Sequence, residues 1–240
     1  MLLLQASCER CRKITGEIER KVLRDHFGPV RRKTGFKIKA ASEHPSHVLA
    51  YPHVGQPRSG VAIPVGQVPG ILRLPQLQHP PAVLGQPQPG DRFSFRIRTF
   101  VEGGVSAAFV ENFPGLSVEN ELEWSVFFKA LAKIAHCYAV AAFGINFFHH
   151  FLPELILGDD FNLVPKLVGV PPYSSEHMAG RQEWHISPYF YLAKGSWYLL
   201  VTISLFANLN PETPKYCFVA GNISAEGMKR EPRLAQALKP

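Results

Sequence analysis

The chain has 240 residues, 46% of them hydrophobic and 19% charged, with 21 Pro, 19 Gly and four Cys. That composition excludes a disordered or collagen-like chain, and four unevenly placed Cys do not make a secreted cystine framework, so a reducing cytoplasmic setting is expected. The net charge of +7 is not spread evenly: residues 9–39 carry 11 Lys/Arg against 4 Asp/Glu, and the remainder balances to zero.

The opening MLLLQASCERC lacks a basic leader region and a small-residue cleavage site, so it does not read as a signal peptide. Cys8 and Cys11 follow at C-x2-C spacing, the interval at which two thiolates grip one tetrahedral Zn²⁺. A structural zinc site takes four donors, and this is two. A redox dithiol is the other use of the same spacing, but that motif sits between a strand and a helix, and nothing upstream of Cys8 is long enough to supply the strand. Chance spacing is the third reading. His44 and His47 are candidates to complete a metal site, although their setting, ASEHPSHV, is extended and Pro-bearing, unlike a finger helix.

From Thr15, the acids Glu17 and Glu19 followed by Ile18, Val22, Leu23 and Phe27 predict an amphipathic helix that Gly28 and Pro29 stop. Its basic residues and those just before and after it (Arg10, Arg12, Lys13, Arg20, Lys21, Arg24, Arg31, Arg32, Lys33) form the cluster that would attract a polyanion, because each cation neutralising a phosphate releases condensed counterions. A solvated basic face explains the same residues without a partner. Asp25 and His26 are adjacent on this segment, and a helix C-terminus suits a protonated or capping His better than a general base.

Residues 41–90 hold ten Pro and six Gly between short apolar runs such as VAIPV and ILRLP, which predicts edge strands and connecting loops. Residues 92–101 alternate, with Phe93, Phe95, Ile97, Thr99 and Val101 on one face and Arg96 and Arg98 on the other, the pattern of a half-buried strand. From Asn120 the run NELEWSVFFKALAKIAHCYAVAAFG places Trp124, Phe127, Phe128, Leu131, Ala135 and Tyr138 at helical spacing and ends at Gly144: the core helix. It carries His136 and Lys133 and lacks the roughly 20 uninterrupted apolar residues of a membrane span, so no crossing is expected. Residues 197–207 and 216–220 predict two paired antiparallel strands. The polar residues from Ser224 predict a flexible tail.

The remaining titratable groups have plain explanations beside functional ones. His136 and Cys137 are adjacent on a helix, about 100° apart, and cannot act as base and nucleophile. His149 and His150 read as metal ligands or as a loop end over the core, and Asp159 and Asp160 after Gly158 as cation ligands or as a turn. Glu176, His177, Glu183 and His185 surround an irregular stretch and receive no role. The nucleotide-binding glycine fingerprint, the P-loop, G-x-S-x-G and H-E-x-x-H are all missing, so those chemistries lose their usual signal.

The run ASCERCRKITGEIERKVLR resembles the second zinc knuckle and following helix of a group of bacterial HNH endonuclease homologues. Residues 61–75, KALAKIAHCYAVAAFG and LFANLNPETPKYCFVAG are similar to later parts of the same group, so the resemblance spans residues 6–221. It implies a treble-clef module whose two Cys pairs hold a structural Zn²⁺, with a catalytic Asp/Glu-His between them that activates water beside Mg²⁺ or a similar ion. The first Cys pair and the catalytic His have no counterpart here, so the expected product is a DNA-associated protein that does not itself cut DNA. A non-enzymatic binding protein derived from that family is the alternative. The expected fold class is α+β: a basic knuckle-and-helix module (1–40), a domain of mainly antiparallel strands around one long helix (41–223), and the tail (224–240).

Overall fold

The structure, a computed structural model of the 240-residue chain, describes residues 8–28, 47–52, 60–64, 67, 68, 70–85, 94–102, 116, 117, 123–172, 184–207 and 212–236. Mixed helix and antiparallel sheet are both present, and the class is α+β. The chain divides into two compact units, one built from residues up to 19, 75–96 and 124 onward, the other from 20–74 and 97–123. The division falls inside the first helix.

In the larger unit, ten-residue strands Trp184–Ala193 (β8) and Ser196–Leu205 (β9) form a hairpin in full register from Trp184↔Leu205 to Ala193↔Ser196. The two-residue turn is Lys194-Gly195, with φ of 49° and 71°, the left-handed pair a tight hairpin requires. Lys215–Ile223 (β10) lies antiparallel on β9, from Lys215↔Ser204 to Asn222↔Tyr198, as the apolar runs predict. The other edge of β10 is shared by Phe148–His150 (β6) and Val168–Gly169 (β7). Gly221 is where β6 comes closest: a Cβ there would collide with the His149 carbonyl.

The long helix, Trp124–Phe143 (α2), lays Val126, Phe127, Phe128, Ala130, Leu131, Ala132, Ala135 and Ala139 inside, against β9 and β10. Residues 126–128 and 130–132 are buried round most of the helix, and beyond them only Ala135 and Ala139, four apart, continue inward, the one-sided pattern its periodicity predicts. Phe127 and Phe128 meet the fully buried Tyr216 edge to face at 5.6 and 6.4 Å between ring centroids. The Tyr216 hydroxyl donates to the Pro75 carbonyl at 2.8 Å, so the buried polar atom is satisfied. Among the described residues α2 is the one helix long and apolar enough to cross a membrane, and its apolar side is occupied by the sheet. Short helices Leu152–Leu157 (α3) and Leu163–Leu167 (α4) close the same core through Leu152, Leu155, Ile156, Val164 and Leu167.

The expected tail is structured as far as Gln236. Ser224 caps helix Ala225–Arg230 (α5), its Oγ accepting from the Gly227 N–H at 3.1 Å, and Pro232–Gln236 (α6) follows. The Trp197 indole donates to the Leu234 carbonyl at 2.7 Å, and Leu234 is buried. Polar composition misleads here because caps and one buried Leu, not an apolar stripe, hold these turns.

In the smaller unit, His47–Pro52 (β1) pairs antiparallel with Val61–Pro64 (β2) and, by its far end, with Leu116–Ser117 (β5). Gly70–Gln76 (β3) and Arg96–Glu102 (β4) form a separate two-stranded sheet. Ile63, Leu72 and Leu74 are buried. The expected inward face of β4 does not hold at Ile97, which is 52% exposed, because the alternation specifies two faces and not that either is covered.

Candidate functional site

The sequence predicts a helix beginning near Thr15, yet the observed helix Glu9–Lys21 (α1) begins six residues earlier. The Cys pair therefore straddles the helix start, Cys8 just ahead of it and Cys11 in its first turn. The Cys8 carbonyl accepts the first intrahelical bond, from the Arg12 N–H at 2.9 Å, which makes Cys8 the capping residue. Cys11 is then the third residue of the helix. Its N–H points at Cys8 Sγ, 3.4 Å away, so sulfur takes the acceptor role that a Ser or Asp oxygen fills in an ordinary cap. The Cys11 thiol donates to the same sulfur at 3.2 Å.

These contacts move the two thiols in opposite directions. The Cys11 amide and then the Cys11 thiol hydrogen-bond to Cys8 and hold it below the usual thiol range, while donating to Cys8 pushes Cys11 up. A thiol at a helix N-terminus is also favoured as thiolate by the unpaired amides of the first turn. Cys8 is exposed and Cys11 half-buried.

Thr15, Ile18 and Val22 are buried and continue the stripe below Cys11; Val22 opens a single π-helical turn, Val22–His26, and Phe27 beyond it is buried as well. Leu23, expected in that stripe, is 44% exposed. Glu19 reaches Lys133 of α2 at 2.7 Å. Arg10, Arg12, Lys13, Arg20 and Arg24 are exposed and Lys21 is half-buried. Lys13 is bridged to Glu9 at 3.2 Å and Lys21 to Glu123 at 3.2 Å, pairs exposed enough to be worth at most about 1 kcal/mol. Residues 9–26 carry six basic side chains against four acidic ones, so most of the excess charge belongs to residues 27–39, where five basic residues face no acid. Arg31, Arg32 and Lys33 lie outside the described residues.

The other candidates separate. His26 is buried, with Nε2 3.3 Å from the Glu123 carbonyl, the structural role its position suggests; Asp25 lies beside it in the π turn. His47 is exposed at the start of β1, and His44 lies outside the described residues, as do Glu176, His177 and Glu183. His185 is on β8 opposite Ser204, in a regular strand rather than an irregular stretch. Asp160 Oδ1 accepts the Asn162 N–H at 2.9 Å and Asp159 bonds Lys129 at 3.2 Å, so the Gly-Asp-Asp run builds a turn. Cys137 is half-buried, and burial pushes its thiol up. Cys217 is fully buried beside the Tyr189 hydroxyl at 3.2 Å, its thiol pushed up to about 12 mainly by that burial.

Sequence reasoning missed one pair. His136 of α2 and His150 of β6 lie with ring centroids 5.1 Å apart, and His150 Nε2 donates to the Ile145 carbonyl at 2.7 Å. Burial, and secondarily the nearness of His150, pushes His136 down to about 4. It is neutral at physiological pH. No pattern in the sequence joins positions fourteen apart on a helix and a later strand.

Among the described residues no three His, Cys, Asp or Glu side chains gather into a metal-binding group. The chain matches no known family model, no curated protein and no solved structure.

Proposed function

We propose that this protein is a nucleic-acid-associated relative of the HNH endonucleases, in which the exposed basic residues of α1 and the segment after it contact phosphates. The observation supporting it most directly is the placement of Lys13 and Arg20, seven apart on α1 and both exposed, on the side away from the buried Thr15 and Ile18. Cys8 and Cys11 contribute two of the four donors of a structural Zn²⁺. The donor chemistry fits: two Zn–S bonds of about 2.3 Å at a tetrahedral angle set the sulfurs roughly 3.8 Å apart. The present 3.2 Å separation reaches that by a small thiol rotation. Bound there, zinc would supply folding free energy rather than catalysis. No residue is put forward to hold a hydrolytic Mg²⁺, and no bond-breaking step is assigned to this chain.

The test is binding of a labelled DNA duplex by the intact protein between about 50 and 200 mM salt, where affinity falls steeply when several phosphates are neutralised. Charge reversal at Lys13 and Arg20 together should weaken binding at least about 10-fold and flatten the salt slope by about two counterions. Affinity that is independent of salt, or untouched by the double reversal, would instead favour a non-enzymatic protein whose basic segment is merely solvated.

A further inference from the structure

We propose that Cys8 and Cys11 form a reversible dithiol–disulfide couple that reacts with disulfide substrates, Cys8 being the attacking thiol and Cys11 the resolving one. The inference does not depend on the nucleic-acid reading, and it assigns the same two sulfurs a second, mutually exclusive state. The geometry that carries it is the placement of C-x2-C over the start of a 13-residue helix, a placement the spacing by itself does not reveal. The sulfurs are already 3.2 Å apart in a hydrogen bond, so closing to a disulfide of about 2.05 Å needs roughly 1 Å of sulfur movement. Access separates their roles. Cys8 is the more exposed of the two to an incoming disulfide, and Cys11, half-buried, already lies within 3.2 Å of Cys8 Sγ.

The chemistry balances without a metal. Cys8 Sγ, its proton passing to solvent, attacks one sulfur of a substrate R–S–S–R, breaking that S–S bond, forming Cys8–S–S–R and releasing one RS⁻. Cys11 Sγ, its proton passing to solvent, then attacks Cys8 Sγ, breaks the mixed bond and releases the second RS⁻. Two protein thiols lose two electrons and one substrate disulfide gains them. Once bonded to each other the sulfurs no longer offer thiolate donors, so oxidation and Zn²⁺ binding exclude one another. Cys137 and Cys217, half-buried and fully buried, serve as internal controls.

The experiment uses the intact protein, reduced and stripped of metal with a chelator, then treated with glutathione disulfide and read by intact mass and by peptide mapping. The expected product has lost two hydrogens, carries no lasting glutathione, and maps to a Cys8–Cys11 bond. Cys11→Ser should stall with one glutathione on Cys8, and Cys8→Ser, which keeps a capping side chain, should react at least about 10-fold more slowly. A lasting adduct on the unaltered protein, or Cys8 reacting no faster than Cys137, would overturn the proposal. Zinc uptake by the reduced protein, measured separately, tests the metal reading: uptake with no oxidation refutes the couple alone, and oxidation with no uptake upholds the couple while refuting the metal.

Discussion

Helices α1 and α2 start from similar sequence signals and are held in different ways. Over 20 residues α2 buries eight, among them two phenylalanines with no exposure, whereas α1 over 13 residues buries Thr15 and Ile18. What fastens α1 is a sulfur cap, a narrow apolar stripe and the Glu19–Lys133 pair, the last worth at most about 1 kcal/mol. With fewer buried side chains, the helix that carries the Cys pair and the basic side chains is expected to open locally at lower cost than α2.

The comparison breaks most decisively at Phe128. Truncation by Phe128→Ala removes a ring that touches Phe127 and Tyr216 and should cost about 3–5 kcal/mol by urea denaturation. A loss under about 1 kcal/mol would show that α2 is not the anchor described. Next is Gly221→Ala, which drives a methyl into the His149 carbonyl and should cost about 1–3 kcal/mol while leaving β9 and β10 paired. Circular dichroism and the denaturation midpoint together check both halves of that statement.

His136 gives the pH dependence. In the unfolded chain it titrates near 6.5 and in the fold at about 4, so between those values the unfolded state binds the extra proton. Its contribution is full above about pH 6.5 and is lost as pH falls toward 4. After screening at this partly exposed site, the unaltered protein should lose on the order of 1 kcal/mol more than His136→Gln between about pH 7 and 5. Equal losses in the two proteins would mean that His136 is solvated in the fold. The smallest effect sharpens the account of α1. Gly16 is mid-helix with open space where a Cβ would stand, so Gly16→Ala should stabilise by about 0.5–1 kcal/mol and raise amide protection in α1 without altering α2.

Much of the fold is legible in the sequence because it is periodic. The three-and-four spacing of Phe127, Phe128, Leu131 and Ala135 marks a buried helix face, and the β-branched run at 197–205 marks a central strand. The site was only half legible. C-x2-C spacing is visible at once, but the helix start is not, since no Ser, Thr, Asp or Asn stands at position 8 and the cap is made by a thiol. Strand β8 escaped because Pro188 and a mixed polar composition hide a run that β9 completes residue by residue.

By itself, then, the sequence determined the α+β class, the core helix, the β9–β10 pair, the concentration of positive charge before residue 40 and the interval between two thiols. These are local or periodic properties, written within a few residues of one another. Tertiary structure alone decided that His136 meets His150, that the Asp159 carboxylate is taken up by Lys129, that Ile97 stays exposed and that the last turns close over Trp197. Such outcomes join groups far apart along the chain, and only the folded arrangement says which of the many possible partners is near enough to shed water for the other.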